Sequence, residues 1–182
     1  FSRACDDYAD EPIPLPEKQA LLARHRQRLE DCYNGRPEGP AFLALADTVQ
    51  RYAIPQEHFH SLIDGVLTDL TVRRYETFAQ LRQYCYHVAS VVGLICIEIF
   101  GYSDPKAKQH ASDFGLAMQL INIMRDVQED AERDRIYLPL DELARFGYSE
   151  DDLMRGVVNQ QGQDLMRVQG DRARRYSAEG AQ

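Results

Sequence analysis

The chain has 182 residues, which is long enough to form one sizeable core. Hydrophobic residues make up 44% of it and charged residues 27%, a composition too hydrophobic for a disordered segment. Its net charge of −8 argues against a nucleic-acid partner, because such a partner requires a basic face. The longest apolar run, 88–97, is about half of the ~20 residues that span a bilayer and ends at Glu98, which predicts a buried helix rather than an anchor. The four cysteines form no C-x-x-C pair, which predicts reduced core thiols in a cytoplasmic protein: Cys5, Cys32, Cys85 and Cys96.

Proline, glycine and capping residues divide the chain into helices joined by short turns. Three prolines between Glu11 and Pro16 end a first helix, and Ser149, followed by three acidic residues, caps a late one. The predicted helices are 1–8, 17–33, 41–52, 55–70, 78–100, 105–132, 140–146, a short one after Ser149, and 161–178. Apart from ambiguous short runs, no segment alternates polar and apolar residues over the length of a strand. The predicted fold class is therefore all-α, with residues 1–182 in a single domain.

Two aspartates stand four residues apart near the start of the chain. Asp6 and Asp10 share one face if this segment is helical, and Arg3 lies one turn earlier. A single pair of this kind is weak evidence for a site. The chain begins at Phe1 rather than at methionine, and chemistry-bearing residues follow at once, so we expect the sequence to lack its N-terminal part.

A second polar stripe runs along the helix predicted over 105–132. Asn122, Asp126 and Asp130 are spaced by four and share one face, which Gln119 extends by a turn. Aspartates with this spacing repel each other and weaken an isolated helix by about 0.2–0.5 kcal/mol. A hard divalent cation would compensate, since Mg²⁺ takes one or two protein carboxylates together with substrate phosphates.

Arginines flank this second stripe. Arg125 and Arg135 carry planar guanidinium groups that suit diphosphate oxygens. Two aspartate pairs on separate helices, each with an arginine nearby, predict a magnesium diphosphate site between them. A solvent-facing acidic helix is the alternative interpretation of either pair taken alone. A di-iron bundle is disfavoured because it needs two Glu-x-x-His motifs, and only Glu57–His60 has that spacing.

Four motifs, in order along nearly the whole chain, resemble those of squalene and phytoene synthases. The clearest is Asn122–Pro139, which reads NIMRDVQEDAERDRIYLP. The others are the tyrosine-containing segment Tyr84–Gly93, the first aspartate motif in 1–10, and the segment from Leu62 to Tyr75. The resemblance implies an isoprenoid synthase helical bundle around a central cavity. Because the family is longer than this chain, the bundle is expected to be incomplete at both ends.

Within the family, the segment 88–102, VASVVGLICIEIFGY, is most similar to bacterial presqualene diphosphate synthases of hopanoid pathways. Phytoene synthases typically begin this segment with VAGTVG, so Ser90 and Val91 favour the squalene branch. The resemblance implies Mg²⁺-dependent head-to-head (1′-1) condensation of two farnesyl diphosphates to presqualene diphosphate, with release of diphosphate.

Three alternatives remain beside this function. The first is a phytoene synthase that condenses two geranylgeranyl diphosphates. The second is a head-to-tail prenyltransferase or terpene cyclase, whose aspartate motifs lack the tail seen at Arg135–Pro139. The third is a non-catalytic helical assembly protein, which should have lost aspartates from one or both pairs, whereas all four remain here.

The resemblance also implies a role for each site residue. Four aspartates would hold Mg²⁺, or Mn²⁺ in its place: Asp6, Asp10, Asp126 and Asp130. Three arginines would contact diphosphate, namely Arg3, Arg125 and Arg135, and Gln119 and Asn122 would support the site from the helix face. Tyr84 would lie near the reacting carbons and Asp69 would line the pocket. Val88, Ala89 and Val92 would line the isoprenoid channel.

The resemblance also gives expectations about cofactors and partners. NADPH is expected to be unnecessary for the first half-reaction, and no G-x-G-x-x-G motif follows a strand. The expected partners are prenyl diphosphates and downstream pathway enzymes. The arginine-rich helix 167–175 is read as a solvated face, with weak attraction to the inner face of an anionic membrane as the second interpretation.

Overall fold

A computed structural model describes residues 1–181, and all regular secondary structure within them is helical apart from one isolated bridge between Arg74 and Ile136. The prediction of an all-α chain is confirmed. The helices are α1 Ser2–Asp10, α2 Leu15–Tyr33, α3 Pro40–Tyr52, α4 Gln56–Asp69, α5 Phe78–Cys85, a π-turn Tyr86–Ser90, α6 Val91–Phe100, α7 Ala107–Glu132, α8 Leu140–Phe146, α9 Glu150–Met154 and α10 Gln160–Gly180.

Local sequence signals explain where several of these helices begin and end. The Ser149 hydroxyl accepts from the backbone N–H of Asp152, whose carboxylate bonds back to Ser149, so the predicted cap is a complete capping box. Pro40 occupies the first turn of α3, where a missing N–H costs nothing. Gly147 ends α8 with φ 65°, a left-handed conformation that favours glycine.

The stretch 78–100 differs from the single helix that its periodicity predicts. The N–H of Val91 bonds to the carbonyl of Tyr86, five residues earlier, so a π-turn separates α5 from α6. By length and composition alone, the 23 residues Phe78–Phe100 could cross a membrane. The core helix of a bundle has the same composition, and here the π-turn and α6 both pack against α4 and α7.

Two clusters of buried side chains form the core. One joins α1 through α4 around Leu22, Leu29 and Ile63, and the other joins α5, α7, α8 and α10 around Leu81, Leu120 and Leu165. The cysteines are free thiols, as predicted; three are buried and Cys96 is half-buried.

A buried ion pair fastens α8 to α10. The Arg172 guanidinium donates to both carboxylate oxygens of Glu142, at 2.6 and 3.1 Å, and Gln169 donates to the same carboxylate at 2.5 Å. The guanidinium also lies 3.7 Å from the centre of the Phe78 ring. Arg174, two residues further along α10, instead pairs with Asp171 on the exposed face of its own helix. This exposed pair agrees with the prediction of a solvated face over 167–175.

Candidate active site

The second aspartate pair lies on a half-buried face of α7. Asp126 and Asp130 project from consecutive turns because four residues nearly complete one turn. Arg125 donates two hydrogen bonds of 2.6 Å to Asp126, from Nε and from Nη2. Two of the Arg125 nitrogens are therefore engaged by the neighbouring Asp126 here, and the contact of Arg125 with a diphosphate stays a prediction.

The first pair lies on α1, as its spacing predicts. Arg3 pairs with Asp7 at 2.9 Å rather than with Asp6 or Asp10, and its side chain is 87% exposed. Partial burial of the Asp6 carboxyl, followed by repulsion from Asp10, raises the pKa of Asp6. Only Nε of Arg3 makes this contact, so the predicted contact of Arg3 with a diphosphate stays open to its other nitrogens.

Asp69, at the end of α4, links the two aspartate motifs. Its carboxylate accepts from Arg135 Nη1 at 3.0 Å and from the Tyr137 hydroxyl at 2.5 Å. Its negative charge is close enough to raise the pKa of Asp6 on α1 and of Asp130 on α7, in both cases after the larger effect of burial. The charges of carboxylates on α1, α4 and α7 therefore act on one another, and a shared magnesium site between the two pairs stays a prediction.

The extended segment after α7 explains how Arg135 and Tyr137 reach the same carboxylate. Ile136 donates its N–H to Arg73 and bridges to Arg74, so side chains alternate between two faces here. Ile136 and Leu138 point into the core at 2% exposure, while Arg135 and Tyr137 face Asp69. Tyr137 was missed as a site residue. Its alternation with Arg135 within R-x-Y-L-P is the signal that could have identified it.

Three tyrosines stack beside Asp69. The rings of Tyr84 and Tyr137 are 5.4 Å apart and those of Tyr75 and Tyr137 are 5.8 Å apart, both nearly parallel. Burial and the charge of Asp69 hold the pKa of Tyr84 well above its usual value, so its hydroxyl stays protonated. Tyr84 is 7% exposed and packs in this stack, one turn before Val88. It sits beside Asp69 and does not line the apolar cavity.

An apolar cavity of about 740 Å³ extends between α6 and α7. Every predicted channel residue lines it, and so do the two amides of the polar stripe: Val88, Ala89, Val92, Gln119 and Asn122. Its other end is bounded by Phe100, Ala107 and His110. From Asn122 to Ala107 the rise along α7 is roughly 22 Å. The cavity therefore runs from the turn next to Asp126 away from the carboxylates.

Ser90 and Val91, which favour the squalene branch in the sequence, face away from this cavity. Ser90 is 1% exposed and donates to the carbonyl of Ser112 at 2.7 Å, and Val91 is fully buried. Neither side chain can contact a prenyl tail there. Any influence of these two positions on tail length must act through helix packing.

The whole chain, residues 1–182, matches the family model described as squalene/phytoene synthase. The chain belongs to this family. A phytoene synthase from Arthrospira platensis is 39% identical over 97% of the chain, and the match covers 61% of that relative. The chain therefore spans less than two thirds of the length of this curated relative.

Two solved structures of the squalene/phytoene synthase family share the fold. The squalene synthase HpnC from Alicyclobacillus acidocaldarius superposes with a TM-score of 0.93 at 30% identity, covering 99% of this chain and 68% of that one. A dehydrosqualene synthase in complex with ligand gives 0.90 at 30% identity, covering 99% and 62%. The predicted family and helical fold are both confirmed.

Magnesium, which the family resemblance implies, is compatible with the carboxylates of α1 and α7. Burial, then repulsion from Asp126 and Asp69, raises the pKa of Asp130 to about 6, so negative charge is in excess there. Among residues 1–181, no three acidic, histidine or cysteine groups are close enough to hold a metal by themselves. Mg²⁺ commonly keeps several waters and shares one or two carboxylates with substrate phosphates. Asp6, Asp10, Asp126 and Asp130 would hold it in this way.

Mg²⁺ binding is expected to weaken as the pH falls below 6. Asp130, whose pKa is raised to about 6, must lose its proton before it can bind a cation, so binding releases that proton. For one proton, affinity falls by at most about tenfold per pH unit. Calorimetric titration in buffers of different ionisation enthalpy measures the release, which Asp130→Asn should abolish. Equal affinities at about pH 5 and about pH 7 would refute the expectation.

Proposed function

We propose that the full-length protein catalyses the Mg²⁺-dependent head-to-head (1′-1) condensation of two farnesyl diphosphates to presqualene diphosphate, releasing diphosphate. One observation carries the proposal: the polar stripe of α7 that holds Asp126 and Asp130 continues through Asn122 and Gln119 into the wall of a cavity of about 740 Å³, which is mostly apolar. This arrangement suits a ligand with a highly charged head and a long apolar tail.

The chemistry requires the charge of a leaving group to be stabilised. The C1–O bond of one allylic diphosphate breaks, and the diphosphate leaves with the electron pair. Bound Mg²⁺ would neutralise that developing charge. Arg135 is held by Asp69, so its fixed positive charge lies beside the carboxylates at the head of the site. Arg125 becomes available once Asp126 binds its ligand.

The allylic cation must then be protected until the second substrate reacts. Its C1 is attacked by the C2–C3 double bond of the second molecule, and loss of a proton closes the cyclopropane ring. Val88, Ala89 and Val92 line the cavity with apolar groups that offer a cation no nucleophile.

Tail length is the finer part of the proposal. The resemblance over 88–102 favours C15 substrates. A second candidate, a phytoene synthase acting on C20 diphosphates, is favoured by the names of relatives such as the 41% identical 15-cis-phytoene synthase of Synechococcus elongatus, of which the match covers 61%. The non-catalytic alternative is disfavoured because both aspartate pairs are intact.

The test is product analysis with the full-length protein. It is incubated with Mg²⁺ and either farnesyl or geranylgeranyl diphosphate, with and without NADPH, and with chelator as a control. Presqualene diphosphate formed from the C15 substrate without NADPH supports the proposal, and chelation should abolish it. A C40 product formed only from the C20 substrate would replace it with the second candidate. No condensation of either substrate would refute both.

A further inference from the structure

Two glycines bring the backbone of α7 into direct contact with the π-turn and with α6. A Cβ on Gly115 would lie 2.7 Å from the carbonyl oxygen of Ala89 and 2.8 Å from Cα of Ser90. A Cβ on Gly93 would lie 2.6 Å from the carbonyl oxygen of Ala111. We call these four contacting positions, Ala89, Gly93, Ala111 and Gly115, the glycine seam.

The seam cannot accept a methyl group unless the helices move. Neither glycine has a positive φ, so their own backbones would tolerate alanine. The atoms that a methyl would meet belong to the backbone, which cannot rotate aside as a side chain can. Restoring ordinary van der Waals contact from 2.7 Å to 3.4 Å requires a displacement of about 0.7 Å.

The seam is also part of the wall of the apolar cavity. All four of its positions line that cavity, together with Val92 on α6. Beside it, the Ser90 hydroxyl donates to the Ser112 carbonyl at 2.7 Å and ties the π-turn to α7. The spacing of α7 from the π-turn and α6 is therefore set by backbone contact, this hydrogen bond and the Lys108–Glu98 ion pair at 2.8 Å.

We propose that Gly93 and Gly115 influence tail-length specificity by setting the spacing of the helices that wall this cavity, and so its volume. This inference rests on the proposed condensation of prenyl diphosphates. An alanine at either position moves α7 away from the π-turn and α6, and the larger volume along the seam favours the bulkier C20 tail. The side chains that contact the tail remain unchanged, so the preference shifts through spacing alone.

The experiment compares Gly115→Ala and Gly93→Ala with Gly170→Ala in the full-length protein. Gly170 is a matched control because it lies within α10, and its added Cβ would meet only the Arg174 side chain, at 3.8 Å. All three changes gain the same helix propensity. The measured quantity is kcat/KM for the C20 diphosphate divided by kcat/KM for the C15 diphosphate, with circular dichroism confirming the fold.

We expect this ratio to rise at least about tenfold in the seam variants, as a methylene-sized change in an apolar pocket can produce. It should stay at the wild-type value in Gly170→Ala. Equal losses on both substrates would overturn the inference by showing that the seam serves packing only.

If the seam variants do not fold, Ser90→Ala decides the question, since it loosens the same contact without added bulk. Its ratio should rise by a smaller factor, and an unchanged ratio overturns the inference. A wild-type protein inactive on both substrates would instead refute the proposed function.

Discussion

Asp130→Asn is expected to lower turnover by about 10²–10³-fold, the loss typical when one group that stabilises developing negative charge is removed. Asp130 lies between Asp126 on its own helix and Asp69 on α4, where burial and their repulsion raise its pKa to about 6. An amide keeps the shape of the side chain but is a weaker ligand for a divalent cation. Steady-state kinetics across a Mg²⁺ titration measures the effect.

The same substitution should leave the fold intact or stabilise it, because it removes a carboxylate that other carboxylates repel. Loss of turnover with an equal or higher Tm therefore separates a functional role from a structural one. Glu129→Gln is the matched control on α7, since Glu129 is 60% exposed and pairs with Arg133. Wild-type turnover and unaltered Mg²⁺ dependence in Asp130→Asn would show that the metal role is wrong.

Arg172→Met is expected to destabilise the fold by about 3–5 kcal/mol, because it leaves the buried Glu142 carboxylate without its cation. The two side chains are only 14% and 8% exposed. Denaturant unfolding measures the loss. Arg174→Met is the matched control, since the Arg174–Asp171 pair is 73% and 63% exposed and such pairs contribute about 0–1 kcal/mol.

A double variant and a pH series test the same ion pair further. Replacing Glu142 by Leu together with Arg172→Met should recover part of the loss: no uncompensated charge remains, but the buried Gln169 amide loses both of its partners. The hydrogen bonds from Arg172 and Gln169 outweigh the effect of burial and hold the pKa of Glu142 below its usual value. Its stabilising contribution is therefore complete above the unfolded-state pKa of about 4.3 and is lost as the pH falls through the lower folded-state pKa. Equal stabilities of Arg172→Met and wild type would contradict this picture.

Much of the fold could be predicted because helix signals are local. Prolines, the Ser149 cap and apolar periodicity locate most helices within about two residues of their observed bounds. The π-turn could not be predicted, because one i→i−5 bond leaves the apolar pattern of 78–100 almost unchanged. The π-turn lies at a tertiary contact, where Gly115 of α7 meets the backbone of Ala89 and Ser90.

The sequence predicts which residues belong to the candidate site, but not which of them bond to each other. Spacing by four places Asp126 and Asp130 on one face, but it cannot show that Arg125 bonds to its own neighbour. Asp69 was expected in the pocket, yet its bonds to Arg135 and Tyr137 depend on the path of the segment after α7. These contacts join residues 66 and 68 positions apart in the chain, which local patterns do not encode.

The most direct measurement uses Cys96, a half-buried thiol that lines the apolar cavity, while the other three cysteines are buried. The full-length protein is alkylated in the presence of a non-ionisable thio-analogue of farnesyl diphosphate, and modification at Cys96 is followed by mass spectrometry. If the carboxylates hold the head through Mg²⁺ and the tail fills the cavity, the analogue protects Cys96 with Mg²⁺ and fails to do so with chelator, while inorganic diphosphate gives no protection. Alkylation of Cys96 at the same rate with and without the analogue in Mg²⁺ would contradict the proposed binding mode.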